Sequence, residues 1–185
     1  MKSKTMLRVA TATVALAVLG GAAYSEQDKY SLKVPGGLAF SEFRGYEDWA
    51  VVAVHQTEDL LKVVVANPMT MDAYRVGVPA NGKPYPDGSK MAKIEWKPKK
   101  SPTAPYDIRV PGTVYDVDFM VKDSKRFGDS GGWGYAVFKY DAASDMFTPA
   151  TPTHQPPQGN DAKCGVACHT IVKTRDYVFT DYAKR

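Results

Sequence analysis

The stretch "KMAKIEWK", residues 90–97, decides the fold class because its side chains alternate in character. Successive side chains of an extended strand point to opposite faces of a sheet. One face then carries Ala92, Ile94 and Trp96, and the other carries Met91, Lys93 and Glu95. This alternation predicts a β-strand rather than a helix, since a helical pattern repeats every three to four residues.

Similar patterns flank this strand on both sides. Two valine-rich runs separated by "TED" predict a β-hairpin, and two further alternating runs follow later in the chain. The five predicted strands cover residues 48–56, 60–67, 90–97, 113–123 and 131–141. A segment from Pro68 to Gly77 predicts a short helix. The predicted fold class is therefore α+β, an antiparallel sheet of about five strands with two or three helices.

Two proline-containing segments predict connections between these elements. Residues 147–160 form a proline-rich connector that cannot be regular helix or central strand. Only 25 residues follow it, so we expect the connector to lie inside a single domain, residues 26–185. The basic cluster "KPKKSP", residues 97–102, predicts a solvated loop.

The N-terminus predicts export. Residues 1–25 combine basic residues at Lys2, Lys4 and Arg8, an apolar run, and small residues before Glu26, which is the pattern of a cleaved signal peptide. An uncleaved membrane anchor is the alternative, but the apolar run is shorter than the roughly 20 residues that cross a bilayer. We therefore expect a periplasmic protein that has no membrane span after signal cleavage.

The charge balance argues against a nucleic-acid partner. The chain has 24 basic and 20 acidic residues, a net charge of +4. The leader holds three of the basic residues and no acidic one, which leaves 21 basic against 20 acidic residues after cleavage. Nucleic-acid binders normally carry a clustered basic face, which this composition does not favour.

The stretch "AKCGVACHTIVK", residues 162–173, contains both cysteines of the chain and predicts a covalent haem c site. Two thiols, Cys164 and Cys168, would reach the two vinyl groups, and the adjacent His169 would ligate the iron. Three residues separate the cysteines here, where two are usual. Gly165 and Ala167 are small enough to let an extra residue bulge outward. Asn160 or Asp161 would cap a helix that carries the motif.

A Cys164–Cys168 disulfide is the alternative interpretation of these cysteines. Residues four apart on a helix have Cα atoms near ~6 Å, but their side chains run parallel instead of towards each other. So small a loop would also restrict the unfolded chain little. A zinc site is weaker again, because it needs three or four protein ligands and His55 and His154 are remote in sequence.

The position of the motif favours an iron with one open face. The 16 residues that follow His169 include no methionine or histidine that could supply a second axial ligand. The upstream residues Met91, Met120 and Met146 remain as alternatives. A five-coordinate iron favours binding or transforming small ligands over simple electron transfer.

Four segments together resemble the cytochrome P460 family and its relatives, the beta-type cytochromes c-prime. These segments are "GYEDWAVVAVH", "YPDGSKMAKIEWK", "FMVKDSKRFGDSGGWGYAVFKYD" and "CGVACHTIVKTRDYVFTDY". The resemblance implies a β-rich, usually homodimeric c-type cytochrome with one covalent haem per chain. It assigns the thioethers to Cys164 and Cys168 and the proximal ligand to His169. It also implies a redox partner cytochrome.

The family has two branches, and the residues near the open iron face decide between them. One branch carries a covalent bond from a lysine to the porphyrin and oxidises hydroxylamine. The other lacks that bond, has an apolar distal pocket, and binds nitric oxide. Lys93 is the candidate for the cross-link, with Lys90 second; the alternative is that Met91, Lys93, Glu95 and Lys97 form a wet face.

Other side chains have candidate roles in the same pocket. Glu95 is the candidate distal base, and Asp116 and Asp118 are further ones. Phe119 or Phe138 would form an apolar cap. Trp49, Trp96 and Trp133 are assigned to packing.

Three functions remain open at this point. The first is a periplasmic mono-haem cytochrome, a hydroxylamine-oxidising oxidoreductase or a sensor, with an open site for small nitrogen species. The second is a six-coordinate electron-transfer cytochrome. The third is a haem-free exported β-domain with a Cys164–Cys168 disulfide.

Overall fold

The computed structural model describes residues 26–34, 37–150 and 160–184, and leaves out the side chains of residues 160–164. The predicted signal peptide, residues 1–25, lies outside the described residues. The strands are β1 (Ala50–Gln56), β2 (Leu61–Ala66), β3 (Lys90–Lys100), β4 (Arg109–Lys122), β5 (Trp133–Asp141) and β6 (Met146–Pro149). The α-helices are α1 (Pro68–Arg75) and α2 (Asn160–His169), and the longest 3-10 helix, Thr170–Arg175, follows α2 directly.

The strands form one six-stranded antiparallel sheet in the order β1-β2-β3-β4-β5-β6. Each strand pairs with the next along the chain, so the sheet is a meander. The α+β fold class and all five predicted strands are confirmed. The register places Lys93 of β3 opposite Asp118 of β4, and Val64 of β2 opposite Lys93. Charged residues far apart in sequence therefore meet on one face of the sheet.

The sixth strand, β6, falls at the start of the predicted proline-rich connector. It pairs only with β5, and Pro149 sits at its end, opposite Phe138. A proline is tolerated on an edge strand because one side of the strand has no partner. Phe147 is held further by Gln27, whose side chain donates to the Phe147 carbonyl at 2.8 Å and accepts from its N–H at 2.7 Å.

The solvated loop predicted at residues 97–102 is wrong as a loop, because β3 continues to Lys100. Pro98 pairs with Pro111 of β4 at a register shift. The pairing of β2 with β3 ends at Trp96, so the missing N–H of Pro98 removes no bond to β2. The lysine side chains of this segment are exposed, as expected for solvated residues.

The two faces of the sheet pack against different parts of the chain. The first face is covered by the N-terminal segment, where Phe40 and Phe43 pack on Phe119 and Phe138. We call it the N-terminal face. The second is covered by the C-terminal segment and α1, and we call it the C-terminal face. Its buried side chains include Met91, Met120, Trp133, Tyr135 and Val178.

The burial of β3 decides between the two interpretations of its mixed side. Met91 is 3% exposed and Glu95 is 4% exposed, so they do not form a wet face. The wet-face alternative is therefore wrong for these two residues, because the C-terminal segment covers this side of the strand. Trp133 is fully buried, as its assignment to packing predicts.

No helix among the residues that the structure describes is long and apolar enough to cross a membrane.

Candidate functional site

A cavity of about 530 Å³ lies between the C-terminal face of the sheet and the chain segment that begins with α2. Strands β1 to β5 supply its floor, and α2 and the tail supply its opposite wall. Its lining is mostly apolar with a few charged groups: His55, Thr57, Lys62, Val64, Met91, Lys93, Asp118, Phe119, Met120, Tyr135, Ala136, Val137, Gly165, Cys168, His169, Val178, Phe179 and Thr180. Cavities of about 300–1,000 Å³ with such a lining are typical ligand and cofactor sites.

Helix α2 reaches the sheet through a glycine of the cysteine motif. A Cβ atom on Gly165 would lie 2.8 Å from Cγ of Tyr135, so only a residue without a side chain allows this approach. The helix is continuous from Asn160 to His169, and the extra residue forms no bulge within it. The helix therefore accommodates the extra residue without the outward bulge that the small residues would have allowed. The motif lies on a regular helix, held close to β5 at Gly165.

Replacing Gly165 with alanine tests this close approach. Alanine favours a helix interior by about 1 kcal/mol over glycine, but overpacking against the root of Tyr135 costs about 1–3 kcal/mol. We expect a net loss of about 1 kcal/mol in the free energy of unfolding, measured with urea. Gly128→Ala is the matched control, since a Cβ there meets no atom within 4 Å. Equal or greater stability of Gly165→Ala would contradict the packing argument.

His169 lies at the end of α2, and its imidazole has a defined tautomer. Nδ1 lies 2.5 Å from the backbone carbonyl oxygen of Tyr177, which can only accept a hydrogen bond. Nδ1 therefore carries the proton, and Nε2 keeps its lone pair. Burial lowers the pKa of His169 against the opposing effect of the Tyr177 carbonyl, and nearby Lys93 lowers it further. A neutral, oriented imidazole of this kind is a ready metal ligand.

Two aromatic rings flank this imidazole. The Tyr135 and Phe179 ring centroids each lie 5.0 Å from that of His169, and Phe179 is 47% exposed. The sequence analysis did not identify Phe179 as a wall of the site. Val178, which is 1% exposed, anchors this irregular tail in the core beside it.

The charged side of the cavity is a network centred on Lys93. Its Nζ lies 2.7 Å from Oε1 of Glu95 and also contacts a carboxylate oxygen of Asp118. Oε2 of Glu95 pairs in turn with Nζ of Lys62 at 3.0 Å. Burial alone would lower the pKa of Lys93, but Asp118 and Glu95 outweigh it and raise that pKa. Lys93 is therefore a cation held by two carboxylates.

Asp116 lies behind this network. It is 8% exposed, and its Oδ1 has no hydrogen-bond partner among the described residues. Burial, together with the neighbouring charges of Asp118 and Glu95, raises the pKa of Asp116 to about 7. The three carboxylates offer oxygen atoms within 4.8 Å of one another. The ammonium groups of Lys62 and Lys93 already neutralise part of the negative charge of these three carboxylates. The carboxylate cluster therefore does not need a bound metal cation to be stable.

The candidate residues from the sequence divide by their place around the cavity. Lys93 and Asp118 line the cavity. Glu95 does not line it, and its carboxylate forms ion pairs with Lys62 and Lys93. Lys90 does not line the cavity, because its Nζ donates to the Glu42 carbonyl at 2.5 Å, beside the Phe43 ring.

The hydrophobic candidates divide in the same way. Met91 and Met120 line the cavity, whereas Met146 is 41% exposed on β6 and does not. Phe138 lies in the cluster on the N-terminal face, where Phe119 also packs its ring. Phe138 does not line the cavity, whereas Phe119 is among its lining residues and stays the candidate for the apolar cap.

Strands β1 and β2, with Thr57 directly after β1, add residues that sequence reasoning did not place in the site. His55, Thr57, Lys62 and Val64 all line the cavity, and His55 was considered only as a remote zinc ligand. Their alternation marks one face of a strand, but nothing local in the sequence indicates what that face meets. The side chain of Cys164 lies outside the described residues. Cys168 is an exposed free thiol at the cavity edge.

The comparisons with known proteins give one result that covers most of the chain. The model of the family described as Cytochrome P460 matches residues 43–180, a span that contains all six strands and α2. No curated protein matches the chain.

Proposed function

Because the chain belongs to the cytochrome P460 family, we propose that it attaches one haem c and uses it to bind or oxidise small nitrogen species. Membership makes it a c-type haem protein. The finer proposal is a periplasmic cytochrome in which Cys164 and Cys168 form the thioethers and His169 is the proximal ligand. Hydroxylamine and nitric oxide are the proposed ligands.

One observation carries this proposal. The imidazole of His169 lines a largely apolar cavity, and its Nε2 atom is available to a metal because its Nδ1 atom is bonded to the Tyr177 carbonyl. The residues fit a haem in their chemistry. The carbonyl of Tyr177 holds Nδ1 and leaves Nε2 for iron, which is the usual arrangement of a metal-bound histidine. Cys168 supplies a free thiol at the same cavity, in the form that thioether attachment requires.

The continuous helix supports attachment through both sulfurs despite the extra residue. Residues four apart lie on the same side of an α-helix, with Cβ atoms about 5–6 Å apart. Cys164 and Cys168 have this spacing within α2. Cys164 and Cys168 therefore share one side of the helix that ends at His169, and we propose that both thioethers form there.

When bound, haem supplies a redox-active iron that takes up small nitrogen ligands. The chain supplies the charges around it. Oxidation of hydroxylamine releases protons, and Asp118 is the carboxylate that lines the cavity and can accept one. Glu95, the base favoured by the sequence, does not line the cavity. It forms an ion pair with Lys93, which does, and would act through that lysine.

Mass spectrometry of the intact protein, expressed with a cytochrome c maturation system, tests the proposal. We expect a mass increase equal to one haem and a haem-stained band after denaturing electrophoresis. A chain that lacks haem and has lost two hydrogens would overturn the proposal in favour of a disulfide-containing β-domain. The same measurement identifies the mature N-terminus and so tests signal cleavage after residue 25.

An absorption spectrum separates ligand binding from electron transfer. We expect a high-spin ferric spectrum that changes on addition of nitric oxide, because His169 is the one iron ligand that the proposal assigns to the protein. Met91 and Met120 both line the cavity, and a low-spin spectrum that nitric oxide leaves unchanged would favour a methionine-ligated electron carrier. Met91→Leu and Met120→Leu variants then identify the ligand.

The cross-link has its own test, since it decides between the two branches of the family. Lys93 is the described lysine that combines a place in the cavity with a position on the central strand β3. We expect the tryptic fragment that contains Lys93 to carry porphyrin mass. Lys62→Arg is the matched control and should leave that mass unchanged. A Lys93 fragment of unmodified mass in haem-loaded protein would place the chain in the nitric-oxide-binding branch.

The homodimer and the redox partner are also part of the proposal. Analytical ultracentrifugation of the haem-loaded protein tests the first, with a dimer as the expected species. Reduction of an oxidised small exported c-type cytochrome by the haem-loaded protein and hydroxylamine, followed in a stopped-flow spectrometer, tests the second.

A further inference from the structure

A buried ion pair lies behind His169, outside the cavity and without a role in the chemistry proposed above. Nζ of Lys122 lies 2.6 Å from Oδ1 of Asp176, and the two side chains are only 6% and 12% exposed. Taking two charges out of water carries a large desolvation cost, so a buried pair is weak evidence of a stabilising role. Its position relative to His169 suggests a different one.

We propose that Lys122 and Asp176 are positioning residues that fix the Tyr177 carbonyl, and through it the orientation and tautomer of His169. The inference rests on the proposed role of His169 as the iron ligand. Lys122 ends the long strand β4, and Asp176 follows the 3-10 helix after α2. The pair therefore ties the sheet to the turn on which the histidine depends.

The side chain of Asp176 is held at both oxygens. Oδ1 accepts from Lys122, and Oδ2 accepts from the backbone N–H of Tyr85 at 2.7 Å. This grip matters because Asp176 and Tyr177 have φ angles of 48° and 64°. The left-handed region costs a non-glycine residue about 1–2 kcal/mol, so two such residues in a row need outside support.

The other side of the turn at Asp176 and Tyr177 is held by contacts with Gly131. Lys122 donates a second hydrogen bond to the Gly131 carbonyl at 2.9 Å. The ring of Tyr177 lies so close to this glycine that a Cβ atom would be 2.1 Å from Cε2 of the ring. The ammonium group of Lys122 therefore holds both the Asp176 carboxylate and the backbone at Gly131, against which the Tyr177 ring packs.

The consequence falls on the hydrogen bond that orients the imidazole. The carbonyl oxygen of Tyr177 accepts a hydrogen bond from Nδ1 of His169 at 2.5 Å. Tyr177 is the residue directly after Asp176. Partners of this kind set the ring orientation and basicity of metal-bound histidines. If the ion pair is removed, the turn can relax, the carbonyl moves, and the bond to Nδ1 lengthens or is lost.

Asp176→Asn and Lys122→Met test the proposal in the haem-loaded protein. Asparagine tolerates the left-handed region and keeps an oxygen for the Tyr85 N–H, so this variant is expected to fold. The main readout is the iron–histidine stretching band in the resonance Raman spectrum of the ferrous protein, with the reduction potential as the second. We expect both variants to shift and broaden the band and to move the potential in the same direction.

Glu42→Gln is the matched control. It removes one charge from the ion pair with Arg126, whose Nη1 lies 2.7 Å from Oε2 of Glu42, at an exposed edge away from His169. We expect this variant to leave the band and the potential unchanged. Lys122→Met and Asp176→Asn spectra that match the parent, with lower stability alone, would overturn the positioning role and leave a structural ion pair.

The two proposals fail in distinguishable ways. Absence of covalent haem in the parent protein refutes the proposed attachment, and absence of an iron–histidine band from the haem-loaded parent refutes the role of His169 as an iron ligand. If the parent and both variants retain haem, the proposed attachment stands, and only the iron–histidine band decides the role of the ion pair. The Lys122→Met/Asp176→Asn double variant completes a double-mutant cycle. The second substitution should shift the iron–histidine band less when the first is already present.

Discussion

On a Lys93→Arg background, which removes the proposed lysine cross-link, the Cys164→Ser/Cys168→Ser double variant is expected to lose all covalently bound haem. The prediction follows from the proposed thioethers, since serine cannot form them and no other cysteine exists in the chain. Each single variant should keep one thioether, because the two residues act at separate vinyl groups. Haem staining after denaturing electrophoresis measures the effect, from full signal in the parent to none in the double variant.

The same variants separate attachment from binding. These variants keep His169, and serine at position 168 and arginine at position 93 change the lining of the cavity of about 530 Å³ only slightly, so added haem should still bind without a covalent bond. An absorption titration of the apo double variant with haem measures this. Full staining of the double variant would contradict thioether attachment. Absence of any haem uptake would contradict the assignment of the cavity as the haem site.

The Asp116→Asn variant is expected to gain stability relative to the parent as the pH rises from 4 to 8. The pKa of Asp116 is raised to about 7 in the folded protein, against an ordinary value of 3.8. Between these values the folded state binds more protons than the unfolded state, so the parent loses stability as the pH rises. Asparagine does not titrate, and the variant escapes this loss. The relative gain should reach about 2–4 kcal/mol above pH 7.

Urea unfolding of both proteins at several pH values measures the difference. Asp129→Asn is the control, because that aspartate is exposed in the short 3-10 helix Gly128–Ser130 and is not one of the three clustered carboxylates Glu95, Asp116 and Asp118. At pH 4 the folded Asp116 is protonated and resembles asparagine, so we expect the two proteins to be close in stability there. A difference that stays constant from pH 4 to pH 8 would contradict a buried carboxyl group with a raised pKa.

Much of the fold follows from local patterns. The alternation at residues 90–97 predicts β3 because a strand repeats every two residues, whatever lies above it. Pro68 and Gly77 predict α1 by their effects on the backbone at helix ends. The strand β6 was missed because an edge position, which the sequence does not reveal, is what makes its proline acceptable.

The cysteine motif was also recognised locally, but its geometry was not. Cys164, Cys168 and His169 are adjacent in the chain, and their chemistry does not depend on the fold. That the extra residue extends a regular helix instead of forming a bulge depends on Gly165, which packs against Tyr135 on β5. A contact between residues so far apart in sequence leaves no local signal beyond the glycine itself.

The sequence by itself determined the strand pattern and the fold class, and it contains the cysteine motif that we propose holds a haem, because each follows from neighbouring residues and backbone geometry. Only the tertiary structure decided which face of the sheet became the cavity. The pairing of β3 with β4 brings Lys93 to Asp118, and the fold of the tail brings the Tyr177 carbonyl to His169. Burial in those surroundings then set the pKa of each group, since desolvation and nearby charges exist only once distant parts of the chain meet.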